Sequence, residues 1–347
     1  MTAKPYGTLS NGREATLFTL TNKNGMEAKV TDYGAILVGV LVPDKDGTSK
    51  DVTLGFDDLA GWEQDTCYLG ATVGRFGNRI AHGKFSLDGK DYQMVLNNEP
   101  NGVPCHLHGG TVGFNSVLWE SREIENGVEF TYLSADGEEG YPGEVTAKVR
   151  YLLTDDNELI WQAEATTTAA TPLNMVHHSY WNLSGDSSQR IESQRLQLEA
   201  DHYLPTDPGL IPTGEVAPVA GTPLDFRQAT VIGEHIEDDF EALKFAGGYD
   251  HAWVVNGEGL RLVATLSDPA SGRSMTLHSE QPAVHFYAGS FLESAVPGKN
   301  GQPLLPRTGL CLETELYPDG PNKPAFPNCI LRPGETYRHT MVHKFSW

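Results

Sequence analysis

The chain has little that would tie it to nucleic acid, to a membrane or to an oxidising compartment. Its 25 Lys and Arg are outnumbered by 46 Asp and Glu, for a formal net charge of −21. A duplex binder needs a basic surface to displace counterions, and an anionic lipid surface makes the same demand. Neither partner is expected, and the acidic surplus reads as solubility. No run approaches the roughly 18 apolar residues of a membrane-spanning helix. The opening MTAKPYGTLSNGRE holds no apolar core of the signal-peptide kind. The four cysteines, Cys67, Cys105, Cys311 and Cys329, are widely spaced and form no CxxC. In 347 residues that is neither a disulfide framework nor a zinc centre. Free thiols in a reducing, cytoplasmic setting are the expectation.

Helical patterning is scarce as well. Residues 57–65 could hold one or two turns, and 227–244 a short helix, but neither could cover a parallel sheet, which disfavours a βαβ architecture. There is no GxSxG, HExxH, Walker or dinucleotide-binding fingerprint, so serine-triad, zincin, phosphotransfer and nicotinamide chemistry find no support.

What the sequence does contain is β pattern along almost its whole length. Residues 15–20, 27–42, 52–56, 195–200, 260–266 and 337–345 form short β-like runs separated by Gly, Asn, Asp and Pro. Asp88-Gly89 is a hairpin turn signal within 84–96. In 144–154, Val145, Ala147, Val149, Tyr151 and Leu153 fall on one face; in 158–165, Leu159, Trp161, Ala163 and Ala165 do the same. Many short strands with Gly- and Pro-rich turns argue for an all-β sandwich or barrel. With no linker and no fixed-period repeat, one domain over 1–347 is expected.

Five stretches carry groups able to do chemistry. Asn174–Leu183 reads as one strand whose polar face holds Asn174, His178, Tyr180 and Asn182, while His177 points the other way with Met175 and Trp181. A polar row of this kind is either solvated or lines a pocket; the pocket is the reading adopted here. His106-Leu107-His108-Gly109-Gly110 offers two histidines, open to a metal or to a structural turn, but has no nearby carboxylate; no metal is expected. Gly74–Ile80 offers Arg75, Asn78 and Arg79, suited either to the hydroxyls of a polyol or to ion pairs. Asp250 follows a glycine pair and either caps a turn or meets a ligand. Glu313 and Glu315 share a face of an apolar strand, either at a solvated edge or in a pocket, where burial would raise the carboxyl pKa and strengthen it as a base.

Together these stretches resemble the aldose 1-epimerase family, the galactose mutarotases. The resemblance runs through GRFGNRIAHGKF (74–85), LHGG (107–110), NMVHHSYWNL (174–183), GYDHAW (248–253), EQPAVHFYAGSF (280–291), LETELYPDGPN (312–322) and LRPGETY (331–337). No single segment is decisive; their joint order is. The resemblance implies a β-supersandwich with few short helices and a cofactor-free exchange of the α and β anomers of an aldose. It implies Glu313 as the base at the anomeric hydroxyl and His178 as the acid at the ring oxygen. It further implies Asn78, Arg79, His108, Tyr180, Asp250 and Gln281 as residues that hold the sugar's hydroxyls or support the acid. The chain departs from the family pattern at His177, usually Asn; at Glu315, where many members carry Gln; and at His285, where Gln or Phe is expected. Three other activities remain open at this point: epimerisation of another aldose or a hexose 6-phosphate, sugar binding without catalysis, and glycoside hydrolysis by a carboxylate pair about 5–10 Å apart.

Overall fold

The β-patterned runs become strands with the predicted faces. In the computed structural model, which describes residues 1–347, Val145–Leu153 is buried at every second residue, from Val145 through Ala147, Val149 and Tyr151 to Leu153. Glu158–Thr167 pairs with it in antiparallel register, Tyr151 opposite Trp161. Asp88 and Gly89 both take positive φ, 50° and 78°, as a two-residue hairpin turn between Lys84–Leu87 and Lys90–Gln93 requires.

Three large antiparallel sheets result. A nine-stranded sheet runs from Glu120–Ile124 at one edge, through Val145–Leu153, Glu158–Thr167 and Tyr337–Ser346, to Thr230–Val231 at the other. A six-stranded sheet is ordered Tyr180–Trp181, Leu310–Glu315, Ala283–Tyr287, Asp250–Val254, His202–Tyr203 and Ala217–Pro218. The first strands of the chain, Thr2–Thr8 to Ser49–Asp51, form a five-stranded meander. One core joins all three, drawing Tyr151 and Trp161 from the first, Trp253, Phe286 and Leu312 from the second, and Phe18 and Val40 from the third.

Several expected elements are shorter or differently divided. Residues 27–42 form two strands, Glu27–Thr31 and Ile36–Pro43, because Gly34 and Ala35 turn the backbone through positive φ. Residues 52–56 form no strand; Thr53 alone bridges Trp181. The α-helices are Leu59–Glu63, capped by the Asp58 carboxylate accepting from Gly61 N, and Glu241–Ala246, ended by Gly247 in the left-handed region. Thus the helix expected in 227–244 begins only at Glu241; upstream, Thr230–Val231 joins the sheet edge and Ile232–Glu234 makes a single 3₁₀ turn.

The core also holds His177, His339 and His343, packed on Trp161 and Trp181: His177 and His339 lie 5.7 and 5.0 Å from the Trp161 ring, and His343 lies 5.0 Å from that of Trp181. Burial pushes His339 down to about 3 and His343 down to about 4, and lowers His177 well below its usual value. These rings stay neutral in the folded chain and take up protons on unfolding. Their contribution is therefore complete above the unfolded pKa of about 6.5 and is lost as pH falls toward the folded values. The midpoint of denaturant unfolding should fall from pH 6.5 to 4. In His343→Leu the slope in that window should be shallower by about 1.4 kcal/mol per pH unit; an unchanged slope would show that His343 is already protonated in the native state.

Candidate active site

The site is built on the outer face of the six-stranded sheet. In the register of its strands His285 lies opposite Glu313 and Ala252, Tyr287 opposite Cys311 and Asp250, and Glu315 opposite Ala283. Opposed residues share a face, so Asp250, His285, Tyr287, Cys311, Glu313 and Glu315 form one outward patch. The alternate residues, Leu310, Leu312, Val284, Phe286 and Trp253, point into the core.

Residues Asn174–Leu183 supply the next part, though not as one strand. The segment breaks at Ser179: Val176–His178 pairs with Ala71–Val73, and Tyr180–Trp181 pairs with Leu310–Glu315. Only His178 and Tyr180 of the expected polar row reach the pocket. Asn174 is consumed by backbone, donating to Gly77 O and accepting from Leu316 N, and Asn182 donates to Gln189 O and Thr308 O. A buried amide satisfies itself on loose backbone ends when these are nearer than solvent. His177 does turn away, into the aromatic core.

Two glycine-rich loops close the pocket. His108 N donates to Asn78 O, and Asn78 N donates to His108 Nδ1 at 3.0 Å. His108 therefore accepts at Nδ1 and, being neutral, carries its proton on Nε2; burial, with His178 adding to it, holds its pKa well below normal. Gly109 (φ 86°) packs so tightly that a Cβ there would lie 1.8 Å from Gly74 O. The pair of histidines in 106–108 is split: His106 donates to Val95 O and accepts from Tyr141 OH, a structural role. Arg75 is structural too, 2% exposed, with its guanidinium spent on Ser134, Ala135, Pro142 and Gly143.

The resulting cleft has a volume of about 410 Å³ and is lined by Asn78, Arg79, His108, His178, Tyr180, Asp250 and Glu313, seven of the eight residues expected from sequence. Gln281 is the exception: it is 5% exposed, lies off the pocket wall, and is held through its backbone by Ser279 Oγ and Arg261. Sequence reasoning assigned no role to His285, Tyr68 or Tyr287, which also line the cleft. Alternation from Tyr287 would have placed His285 on the patch. Tyr68, in a loop with φ 59°, carries no such signal, yet its ring lies 4.7 Å from that of His108 and 5.9 Å from that of His178.

Charge is organised around burial. His178 Nε2 lies 3.5 Å from Glu313 Oε1, and Tyr180 packs against the His178 ring at 5.3 Å. Burial raises the Glu313 carboxyl well above the usual range; His285 opposes this and Glu315 adds to it. Burial also pushes His178 down to about 4. Desolvation outweighs the attraction of the Asp250 carboxylate for the His178 proton. Beside this pair, His285 Nε2 donates to Asp250 Oδ1 at 2.5 Å, and Arg79 reaches Asp250 Oδ2 at 3.4 Å. Burial would raise Asp250 and lower His285, but their pairing wins: Asp250 sits below its usual range and His285 is pushed up to about 10. Glu315, completely buried, faces His285 Nδ1 at 3.4 Å and accepts from Asn78 Nδ2 at 3.1 Å. Arg79 Nε and Glu313 Oε2 are buried without a partner, leaving one donor and one acceptor at the cleft for a polar ligand. The donor atoms of His108, His178 and Glu313 lie within 4.8 Å of one another and form the one set of ligands here that could hold a divalent ion, although the cations Arg79 and His285 stand beside it and oppose one.

A cleft of buried histidine and carboxylate groups with polar donors, set on a β sandwich, is suited to acid–base chemistry on a small polar ligand. The family model for aldose 1-epimerase matches residues 16–344. Human galactose mutarotase is 44% identical over 322 residues, covering 92% of this chain and 91% of its own length. The aldose 1-epimerase of Escherichia coli K12 is 35% identical over 342 residues, 96% of each chain. The crystal structure of a C. elegans aldose epimerase homologue superposes with a TM-score of 0.88 at 31% identity, covering 96% of this chain and 99% of that one. The chain belongs to the aldose 1-epimerase family, and is an isomerase.

Gly109→Ala tests the closure of the two loops. Its Cβ meets backbone, and its positive φ adds strain of about 1–3 kcal/mol. Mutarotation kcat/KM should fall at least about 10-fold as His108 and Asn78 separate, roughly 1.4 kcal/mol per decade. Gly89→Ala, in a hairpin turn with open space around it, should leave kcat/KM unchanged. Equal effects would mean the closure of the two loops does not shape the site.

Proposed function

We propose that this enzyme interconverts the α and β anomers of a free hexose, galactose or glucose, by acid–base ring opening. Glu313 takes the proton from the anomeric hydroxyl; the C1–O1 bond becomes a carbonyl as C1–O5 breaks, and O5 takes a proton from His178. Rotation about C1–C2 then presents the other carbonyl face, and the same steps run backwards. The observation that carries this reading is the buried His178–Glu313 pair, 3.5 Å apart in the wall of a sugar-sized cleft. Binding alone would need no such pair. Arg79, Asp250, Asn78 and the Nε2–H of His108 offer the donors and acceptors that a polyol requires.

The competing readings lose their footing. Phosphate recognition would call on the guanidinium groups of Arg75 and Arg79 together, but Arg75 is spent inside the protein. Hydrolysis needs a second free carboxylate, but Asp250 is held by two cations and Glu315 lies beneath the pocket wall.

Polarimetry of freshly dissolved α-galactose and α-glucose should show acceleration by the protein and none by Glu313→Gln, a loss of about 10²–10⁴-fold per group. The His178–Glu313 pair titrates as a unit. Activity should hold a plateau through neutral pH, falling on the acid side when the pair takes a second proton and on the alkaline side when it loses its only one. Full activity in Glu313→Gln, or no acceleration with either sugar, removes the proposal.

A further inference from the structure

Four groups, three of them buried and Arg79 partly exposed, form a row of alternating charge below and beside the proposed acid and base. Glu315 Oε1 lies 3.4 Å from His285 Nδ1, His285 Nε2 lies 2.5 Å from Asp250 Oδ1, and Asp250 Oδ2 lies 3.4 Å from Arg79. His285 Nε2 thus meets one carboxylate oxygen, and Nδ1 faces both Glu315 Oε1 and, at 3.2 Å, the Asn78 Nδ2 amide. Asn78 fixes the far end: its Oδ1 accepts from Arg79 N, which turns its Nδ2 toward Glu315 Oε1. His285 lies opposite Glu313 across the strand pair, on the same face.

We propose that His285 is a positioning residue, an imidazolium clamped between Asp250 and Glu315 that fixes Asp250 for the sugar and offsets the negative charge of Glu315 beneath the base Glu313. This deepens the function proposed above and rests on it. A neutral ring could donate to only one of its two carboxylate neighbours; donating to Asp250, it would leave Nδ1 to accept from Asn78 Nδ2 and would turn a lone pair toward Glu315 Oε1. A protonated ring satisfies both. With the ring charged, the row of Glu315, His285, Asp250 and Arg79 carries two negative and two positive charges and is neutral beside Glu313. Losing the imidazolium leaves the row with one net negative charge out of water, which hinders ionisation of Glu313.

The groups that face His285 from each side are accounted for. The Asp250–Val254 strand contributes Asp250, with His251 turned to the other side of the sheet; the Leu310–Glu315 strand contributes Glu313 and Glu315; the 74–79 loop contributes Asn78 and Arg79; and His108 and His178 stand across the cleft. Only His285 touches both carboxylates of the row.

The test compares mutarotation pH profiles of the wild type, His285→Gln, Glu315→Gln and the double variant. In His285→Gln the acid limb of kcat/KM should move to higher pH, with at least a 10-fold loss at pH 6 that shrinks as pH rises. In the double variant the buried charge is removed along with its partner, and the limb should return toward the wild-type position. A loss that is the same at every pH, or a double variant whose acid limb stays where His285→Gln alone puts it, overturns the proposal and leaves His285 a packing residue. Nitrogen-15 NMR of the imidazole in the sugar-free protein reads the same charge without turnover. Both ring nitrogens should be protonated at pH 8, and a neutral ring there also overturns it. A charged ring in a wild type that fails to accelerate mutarotation would instead remove the function proposed above and leave the clamp standing; where a variant does not fold, the charge of the wild-type ring decides the proposal by itself.

Discussion

Desolvation is the constraint on which this site depends. A carboxylate or imidazolium taken out of water costs several kcal/mol unless its charge is met by a partner at good geometry. This cleft holds Asp250, Glu313, Glu315, His178 and His285 at 6% exposure or less. The fold accommodates them by setting opposite signs next to one another across adjacent strands. Register is therefore as important as residue identity. A slip of one residue in Ala283–Tyr287 would turn His285 into the core and Phe286 into the cleft, leaving Asp250 and Glu315 without the cation between them.

The same strands explain why the geometry holds. Each side chain on the outer face of the six-stranded sheet has, one residue away, an apolar neighbour locked into the core: Leu312 beside Glu313, Phe286 beside His285. Groups carried on strands anchored in this way are held more tightly than groups on loops. The loops that do contribute, 74–79 and 108–110, compensate by binding each other. The pairing of Asn78 with His108 fixes the backbone of one and the tautomer of the other.

Much of this was legible in the sequence, and the reasons are physical. Strict alternation made Val145–Leu153 readable because one side of it is core and the other is not. Asp88-Gly89 was readable because few residue pairs tolerate two positive φ values. Seven of the eight expected site residues line one cleft because the motifs that carry them are long and their order is specific. What failed depends on contacts between distant segments. Whether Asn174 or Asn182 faces a ligand or ties down backbone is decided by chain ends more than 90 residues away. Arg75 and Arg79 look alike in sequence, yet one is buried among carbonyls and the other reaches Asp250. Gln281 sits within a matching segment, but a turn removes it from the wall. The two departures noted at His285 and Glu315 look independent along the chain and prove to face each other.

The state of His178 bears on why such a pair suits a reversible reaction. Burial weakens the attraction of His178 for a proton and strengthens that of Glu313. Burial thereby reverses the order the two groups have in water, so that a single proton on the pair rests on Glu313. In the proposed chemistry Glu313 is base and His178 acid on opening, and the roles reverse on closing, since both anomers are substrates. Opening therefore starts from the rarer arrangement, with the proton on His178 and Glu313 free to act as base, and closing returns the proton to the pair. With 3.5 Å between His178 Nε2 and Glu313 Oε1, and the neutral row of Glu315, His285, Asp250 and Arg79 adding no net negative charge beside them, the same two groups serve whichever face of the aldehyde is closed.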